Sequence, residues 1–173
     1  MAVELQPLIT SIDAAIQPTA DDHSTATTVA EAVVPHLPEV IRSLTPEQLA
    51  GDPDGYATHT LFASDDFSIV TAVFLPGQAT PIHDHVTWCV VGVLRGVEHE
   101  TIYTMRDQGP VATQVNDNPT GSVTGFAPPG DIHRVVNVID DVTVSMHVYG
   151  TNIDRVGSSV RRTYAENGAG QRR

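Results

Sequence analysis

A chain of 173 residues with 40% hydrophobic content has the size and apolar share of one ordinary domain. Twenty-one acids stand against nine bases, all arginine, and the net charge of −12 repels phosphate backbones and anionic lipid, so neither nucleic acid nor membrane is expected as a partner. One cysteine cannot close an internal disulfide, the start MAVELQPL carries an acid where a secretory signal carries bases, and no apolar run reaches ~18 residues, so a cytoplasmic protein is expected.

In chain order, Leu5, Leu8, Ile9, Ile12 and Ile16 recur at the spacing of one buried helix face. A second helix is expected over 25–34. Thr45, Pro46, Gln48 and the Leu44/Leu49 pair combine an N-cap, a proline at the first helical position, a capping-box glutamine and a hydrophobic staple, so a short helix starts there. Residues 51–55, Gly-Asp-Pro-Asp-Gly, form a loop by composition. Beyond it the period changes: 67–74, 81–96, 97–104 and 142–149 are rich in β-branched residues and separated by Gly, Pro, Asn and Asp, which predicts strands of a sandwich or barrel. The expected organisation is a single domain, with a helical segment over 1–52, a β-barrel over 55–165 and a flexible tail over 167–173.

Within 81–96, PIHDHVTWCVVGVLRG, His83 and His85 are one residue apart, so on a strand both imidazoles point to the same side, as sharing one metal ion requires. Gly77 precedes His83 with five residues between, and Gly96 follows Cys89 with six between. Further on, Pro128-Pro129-Gly130-Asp131-Ile132-His133-Arg134-Val135-Val136-Asn137 supplies a third histidine after a Pro-Gly turn. These segments resemble the two motifs of the cupin superfamily, Gly-x5-His-x-His-x3/4-Glu-x6-Gly and Gly-x5-Pro-x-Gly-x2-His-x3-Asn. Cys89 replaces the glutamate of the first, and Gly121 lies one residue too early for the second. The resemblance implies an all-β core, a double-stranded β-helix (jelly-roll) barrel behind the short helical segment, with a metal held by His83, His85 and His133.

One branch of cupins, the thiol dioxygenases, places cysteine or glycine where others have that glutamate. It comprises cysteine dioxygenase and relatives such as 3-mercaptopropionate dioxygenase, and it carries a Ser-x-His-x-Tyr run beyond the third histidine. Here Ser145-Met146-His147-Val148-Tyr149 begins twelve residues after His133, and at strand period its three polar side chains share a face. The resemblance implies Fe(II), a small thiol and O2, with sulfinate as product; Tyr149, oriented by His147 and Ser145, faces the reacting groups, and Cys89 is the candidate for a thioether bond to Tyr149. Nickel or manganese are alternative metals, because ligand type alone does not select iron.

Cysteine dioxygenases hold the substrate carboxylate with an arginine shortly before the first histidine strand, yet 55–62, GYATHTLF, contains none. Mercaptopropionate dioxygenases draw it from beyond the tyrosine, which makes Arg155 the first choice here and Arg161 the second, with Tyr56 and His59 as further pocket residues. Cysteine and 3-mercaptopropionate are the expected substrate types, and monomer or homo-oligomer is left open. A cupin enzyme rearranging or oxidising a cysteine-derived thiol by another route is the nearest alternative, and a non-catalytic ligand-binding or sensing module the next. An isomerase or zinc hydrolase is disfavoured because no carboxylate base accompanies the histidines.

Overall fold

The N-terminal helices form where capping and apolar spacing agree. In the computed structural model, which describes residues 5–165 and so leaves the expected tail over 167–173 outside it, α1 (Gln6–Ala15) buries Leu8 and Ile12. Helix α2 (Asp22–Val33) begins three residues before the expected start, because the Asp21 carboxylate accepts the Ser24 N–H at 2.8 Å and caps it there. A 3₁₀ turn at Val34–His36 then leads into α3 (Leu37–Ser43), which buries Leu37 and Val40. Pro35 and Pro38 each occupy the first turn of their helical piece, where a missing N–H costs nothing. In α4 (Pro46–Leu49) both arms of the capping box form, Gln48 N–H to Thr45 Oγ1 at 3.3 Å and Thr45 N–H to Gln48 Oε1 at 3.0 Å.

Ten strands follow: β1 (Ala57–Ala63), β2 (Ser68–Phe74), β3 (Ile82–His85), β4 (Cys89–Arg95), β5 (Val97–Arg106), β6 (Gly109–Pro119), β7 (Val123–Phe126), β8 (His133–Val136), β9 (Thr143–Tyr149) and β10 (Val160–Tyr164), with a single turn of helix, α5 (Ile153–Val156), before the last. Two five-stranded sheets, in the orders β1-β2-β9-β4-β7 and β10-β3-β8-β5-β6, build the expected jelly-roll core. Gly96 turns the chain from β4 into β5 at φ 81°, a left-handed conformation that favours glycine. Asn137 ties two loops together, donating to the carbonyls of Phe74 at 2.9 Å and Asp141 at 2.8 Å.

Strand alternation gives the first sheet two working faces. Ile69 and Val73 of β2, Val90 and Leu94 of β4, and Val144, Met146 and Val148 of β9 pack with Leu8, Ile12, Val29 and Leu37 of the helices into the main core. The opposite residues of the same strands face the barrel interior. On β7, Gly125 lets α2 approach closely: a Cβ there would meet the Ala26 carbonyl carbon at 2.8 Å. No helix among the described residues is long and apolar enough to cross a membrane.

The last strand is fastened from outside. Asp84, pointing away from the two histidines that flank it, accepts on Oδ2 from Arg161 at 2.6 Å, Arg162 at 3.0 Å and Tyr164 at 2.8 Å. Burial pushes the Asp84 carboxyl up, but these donors outweigh it and bring the pKa down to about 2.

Candidate metal centre

Two strands bring three imidazoles together. His83 and His85 end up on the interior face of β3, and the antiparallel register sets His133 of β8 directly opposite His83. The ring centroids lie 4.8 Å (His83–His85), 4.6 Å (His83–His133) and 5.1 Å (His85–His133) apart, and one nitrogen of each falls within 4.8 Å of the other two.

What each ring does with its other nitrogen decides whether the set fits a metal. His83 Nδ1 lies 2.9 Å from the Pro81 carbonyl oxygen, which only accepts, so this nitrogen carries the proton. His85 Nδ1 lies 3.1 Å from Asp131 Oδ2, and His133 Nδ1 lies 2.8 Å from Glu100 Oε1. All three Nε2 lone pairs are thereby left to converge, the arrangement of neutral imidazole ligands with outer partners that fix tautomer and ring angle. Burial, then the neighbouring imidazoles, hold His83 down at about 3, and burial lowers His85 as well, so both are neutral at physiological pH. Burial opposes ionisation of Asp131 and Glu100, but the bonds from His85 and from His133, Asn116 and Asn118 prevail and both carboxyls are lowered. The donor set fits a divalent ion with open positions on its cavity side.

Asp131 and Glu100 were missed in sequence as partners of the histidines. They are not bases in the cavity, since each occupies the nitrogen turned away from it. Because Asp131 also accepts the His85 backbone N–H at 2.8 Å, Asp131→Asn is expected to weaken metal binding about ten- to a hundredfold without unfolding the chain. Metal titration of the variant checks this, and an unchanged affinity would remove Asp131 from the centre.

The Ser-His-Tyr run lies on the interior face of β9 as one connected row. Ser145 Oγ is 2.9 Å from His147 Nε2, and His147 Nδ1 is 3.1 Å from the Tyr149 hydroxyl. Burial, with the imidazoles of His133, His85 and His83 adding to it, lowers His147 to about 3, so it relays hydrogen bonds as a neutral ring. The Tyr149 ring stands 6.3 Å from that of His85. Burial raises its phenol well above the ordinary range, although the Ser159 hydroxyl hydrogen-bonds it. Cys89 is fully buried and its thiol is raised by burial. The chain bends between His85 and Cys89, so shared parity along one strand does not orient this cysteine; the β4–β9 register does, by setting it directly opposite Tyr149.

A cavity of about 550 Å³ opens onto this group. The three histidines, His147 and Tyr149 form its floor, and Tyr56, Thr58, Thr60, Thr80, Asp154 and Ser159 contribute to the remaining wall. Tyr56 is placed there by stacking on Phe74 with centroids 5.0 Å apart. His59 is not on the wall: Thr58 and Thr60 face the cavity, so at strand period His59 turns to the other side with Ala57 and Leu61, which pack on the core. Neither arginine singled out in sequence lines the cavity. Arg155 pairs with Asp65 at the surface, and Arg161 is held by Asp84.

The family model of cysteine dioxygenase type I matches residues 32–162. Among solved structures, an RmlC-like cupin protein from Desulfovibrio desulfuricans is 23% identical over 61% of this chain and 92% of its own, with a TM-score of 0.48. A conserved protein with a double-stranded β-helix domain from Klebsiella pneumoniae is 18% identical, covering 61% and 85%, at 0.48. An oxalate oxidase in complex with glycolate is 19% identical, covering 63% and 65%, at 0.46.

Proposed function

The chain belongs to the cysteine dioxygenase type I family, with the cupin double-stranded β-helix fold, and on that premise we propose that it is a non-haem iron thiol dioxygenase acting on a small thiol. The observation that carries this reading is the phenol of Tyr149, held by a neutral His147 above three imidazoles whose second nitrogens are all occupied. A passive binding pocket has no need of an oriented phenol. The reaction is RSH + O2 → RSO2⁻ + H⁺, in which sulfur gives up four electrons and both oxygen atoms end on it.

Iron(II) held by His83, His85 and His133 would supply a common binding point for thiolate and dioxygen and the redox step between them. The protein's own part is positioning. Tyr149 offers a hydrogen-bonding oxygen at the cavity floor, and His147 and Ser145 fix where it points. Threonine and serine hydroxyls and Tyr56 meet the distal end of the substrate. Arg155 is the candidate for a substrate carboxylate: its pair with Asp65 is exposed and worth only ~0–1 kcal/mol, so releasing it costs little. Arg161 would have to leave the buried Asp84, which makes it the weaker candidate.

Oxygen uptake by the iron-loaded chain is the direct test. Stoichiometric sulfinate from 3-mercaptopropionate or cysteine is expected, and no uptake with either, or with cysteamine, would sink the reading. Arg155→Ala is expected to raise KM for the two carboxylates about ten- to a hundredfold, the loss of one charge-assisted hydrogen bond, and to leave cysteamine unaffected. Equal losses on all three thiols would take Arg155 out of the pocket.

The register of Cys89 with Tyr149 supports a thioether between them, since directly opposed residues hold their Cβ atoms ~4.5–5.5 Å apart. Forming it removes the thiol hydrogen and one ring hydrogen, with the two electrons passing to dioxygen. Intact mass after turnover is expected about 2 Da below that of the linear chain, and Cys89→Gly is expected to abolish the shift. Quantitative recovery of an unmodified Cys89 peptide from turned-over protein would exclude the bond.

A further inference from the structure

The Ser145–His147–Tyr149 row does not end at Ser145. Behind it stands Glu98 of β5, a carboxyl 2% exposed that lies within reach of the Ser145 hydroxyl and whose Oε1 has no partner. The two strands belong to different sheets and meet at this end of the barrel, where the Thr143 hydroxyl donates to the Val97 carbonyl at 3.1 Å. A polar recess of about 10 Å³, near the lower limit for one water, borders Glu98 and Glu100 and shares no wall residue with the substrate cavity.

We propose that Glu98 is the positioning residue that sets the direction of this row, so that Tyr149 presents a proton acceptor to the substrate when Glu98 is ionised and a proton donor when Glu98 is protonated. The donors and acceptors available to each side chain fix the direction of every link. A carboxylate has no proton to give, so the Ser145 O–H must donate to it or leave a buried charge without a donor. Ser145 Oγ then accepts from His147 Nε2–H, His147 Nδ1 accepts from the Tyr149 O–H, and the phenol turns only lone pairs toward the cavity. A protonated Glu98 reverses each link. Its O–H donates to Ser145, Ser145 donates to Nε2, Nδ1–H donates to the phenol oxygen, and the Tyr149 O–H is freed to point at the substrate.

Resting on the thiol dioxygenase reading, the row also accounts for the proton that the reaction releases. As the thiol passes its proton to the Tyr149 oxygen, the phenol proton moves to Nδ1, the Nε2 proton to Ser145 and the Ser145 proton to Glu98. The Tyr149 and Ser145 oxygens each gain one bond to hydrogen and lose another, the His147 ring gains at Nδ1 the proton it loses at Nε2, Glu98 keeps the one that arrives, and no electrons change hands. The thiolate is formed in the same event that leaves the phenol ready to donate.

The surroundings poise Glu98 for both states. Burial raises it to about 7, with the Ser145 bond and His133 lowering it and Glu100 raising it. The ionisable groups on the elements facing it include Glu100 of its own strand, His133 of β8, His147 and Tyr149 of β9 and Cys89 of β4. Asn118 stands opposite on β6, and His99 and Asp117 pair with one another at 2.7 Å at the exposed surface.

The test reads the tautomer of His147 by nitrogen-15 NMR of the full chain loaded with zinc, a diamagnetic metal, with the signal assigned by its loss in His147→Gln. The Nε2–H form is expected toward the alkaline end of the titration and the Nδ1–H form toward the acid end. Glu98→Gln and Ser145→Ala are expected each to abolish the switch. A single tautomer in the parent protein from about pH 5.5 to 8.5, or a switch that survives Glu98→Gln, would overturn the proposal. Should Glu98→Gln fail to fold, the parent titration and Ser145→Ala decide. The readout needs no turnover: a protein that switches but oxidises no thiol refutes the function, whereas an active enzyme that does not switch refutes only the role of Glu98.

Discussion

Replacing His83, His85 or His133 by alanine is expected to cost metal affinity on the order of 10²-fold or more, beyond the ten- to hundredfold that follows loss of an outer partner. Two ligands cannot enclose the ion, and each alanine also strands an acceptor, Pro81 O, Asp131 or Glu100, that the ring had satisfied. The fold is expected to survive, because the helical core of Leu8, Ile12, Val29 and Met146 lies on the other side of the first sheet. Metal content by elemental analysis, beside an unchanged circular dichroism spectrum, checks both halves. Full occupancy in any of the three variants would show that residue not to be a ligand.

The second large effect is expected at Tyr149. Tyr149→Phe removes the oxygen that His147 and Ser159 hold and leaves the ring in place, so kcat is expected to fall about a hundredfold, the scale of one preorganised hydrogen-bonding group lost beside a reacting centre. Metal content is expected to stay at the parent level, because the phenol is bonded to none of the three ligands. Phenylalanine also removes any bond to Cys89, and Cys89→Gly measured alongside separates the two contributions. A Tyr149→Phe enzyme as fast as Cys89→Gly would mean that the phenol matters only as a crosslink partner.

That His83 and His85 share a face, and that Ser145, His147 and Tyr149 share another, was legible because strand period is written directly in sequence, whereas His133, on β8, joined them only through the resemblance to the second cupin motif. Their supports were not legible. Glu100 reaches His133 only because the β5–β8 register pairs Ile102 with His133, which sets Glu100 two residues away on the same face. Read alone, Glu98-His99-Glu100-Thr101 looks like a solvated strand, and nothing local says that its acids turn inward. The same limit applies to His59, which lies in the right strand but on its other face, and to Arg155 and Arg161, whose acidic partners lie 90 and 77 residues away in sequence. Among the helices, the Thr45 cap and the N1 proline Pro46 were legible, but the Asp21 cap and the helical turns that begin at Pro35 and Pro38 were not.

β9 is hydrogen-bonded on both edges along its length, to β2 from Thr143 to Tyr149 and to β4 from Val144 to Tyr149, and its outer face is sealed by Val144, Met146 and Val148. Backbone so enclosed is among the last to exchange its amide hydrogens with solvent. β8, by contrast, meets β3 at one register pair and β5 at four. The phenol therefore rides on a strand paired along both edges, while His133 rides on one paired more sparsely. Local opening is therefore expected to move His133 before it moves the Tyr149 oxygen, and faster amide exchange in β8 than in β9 checks this.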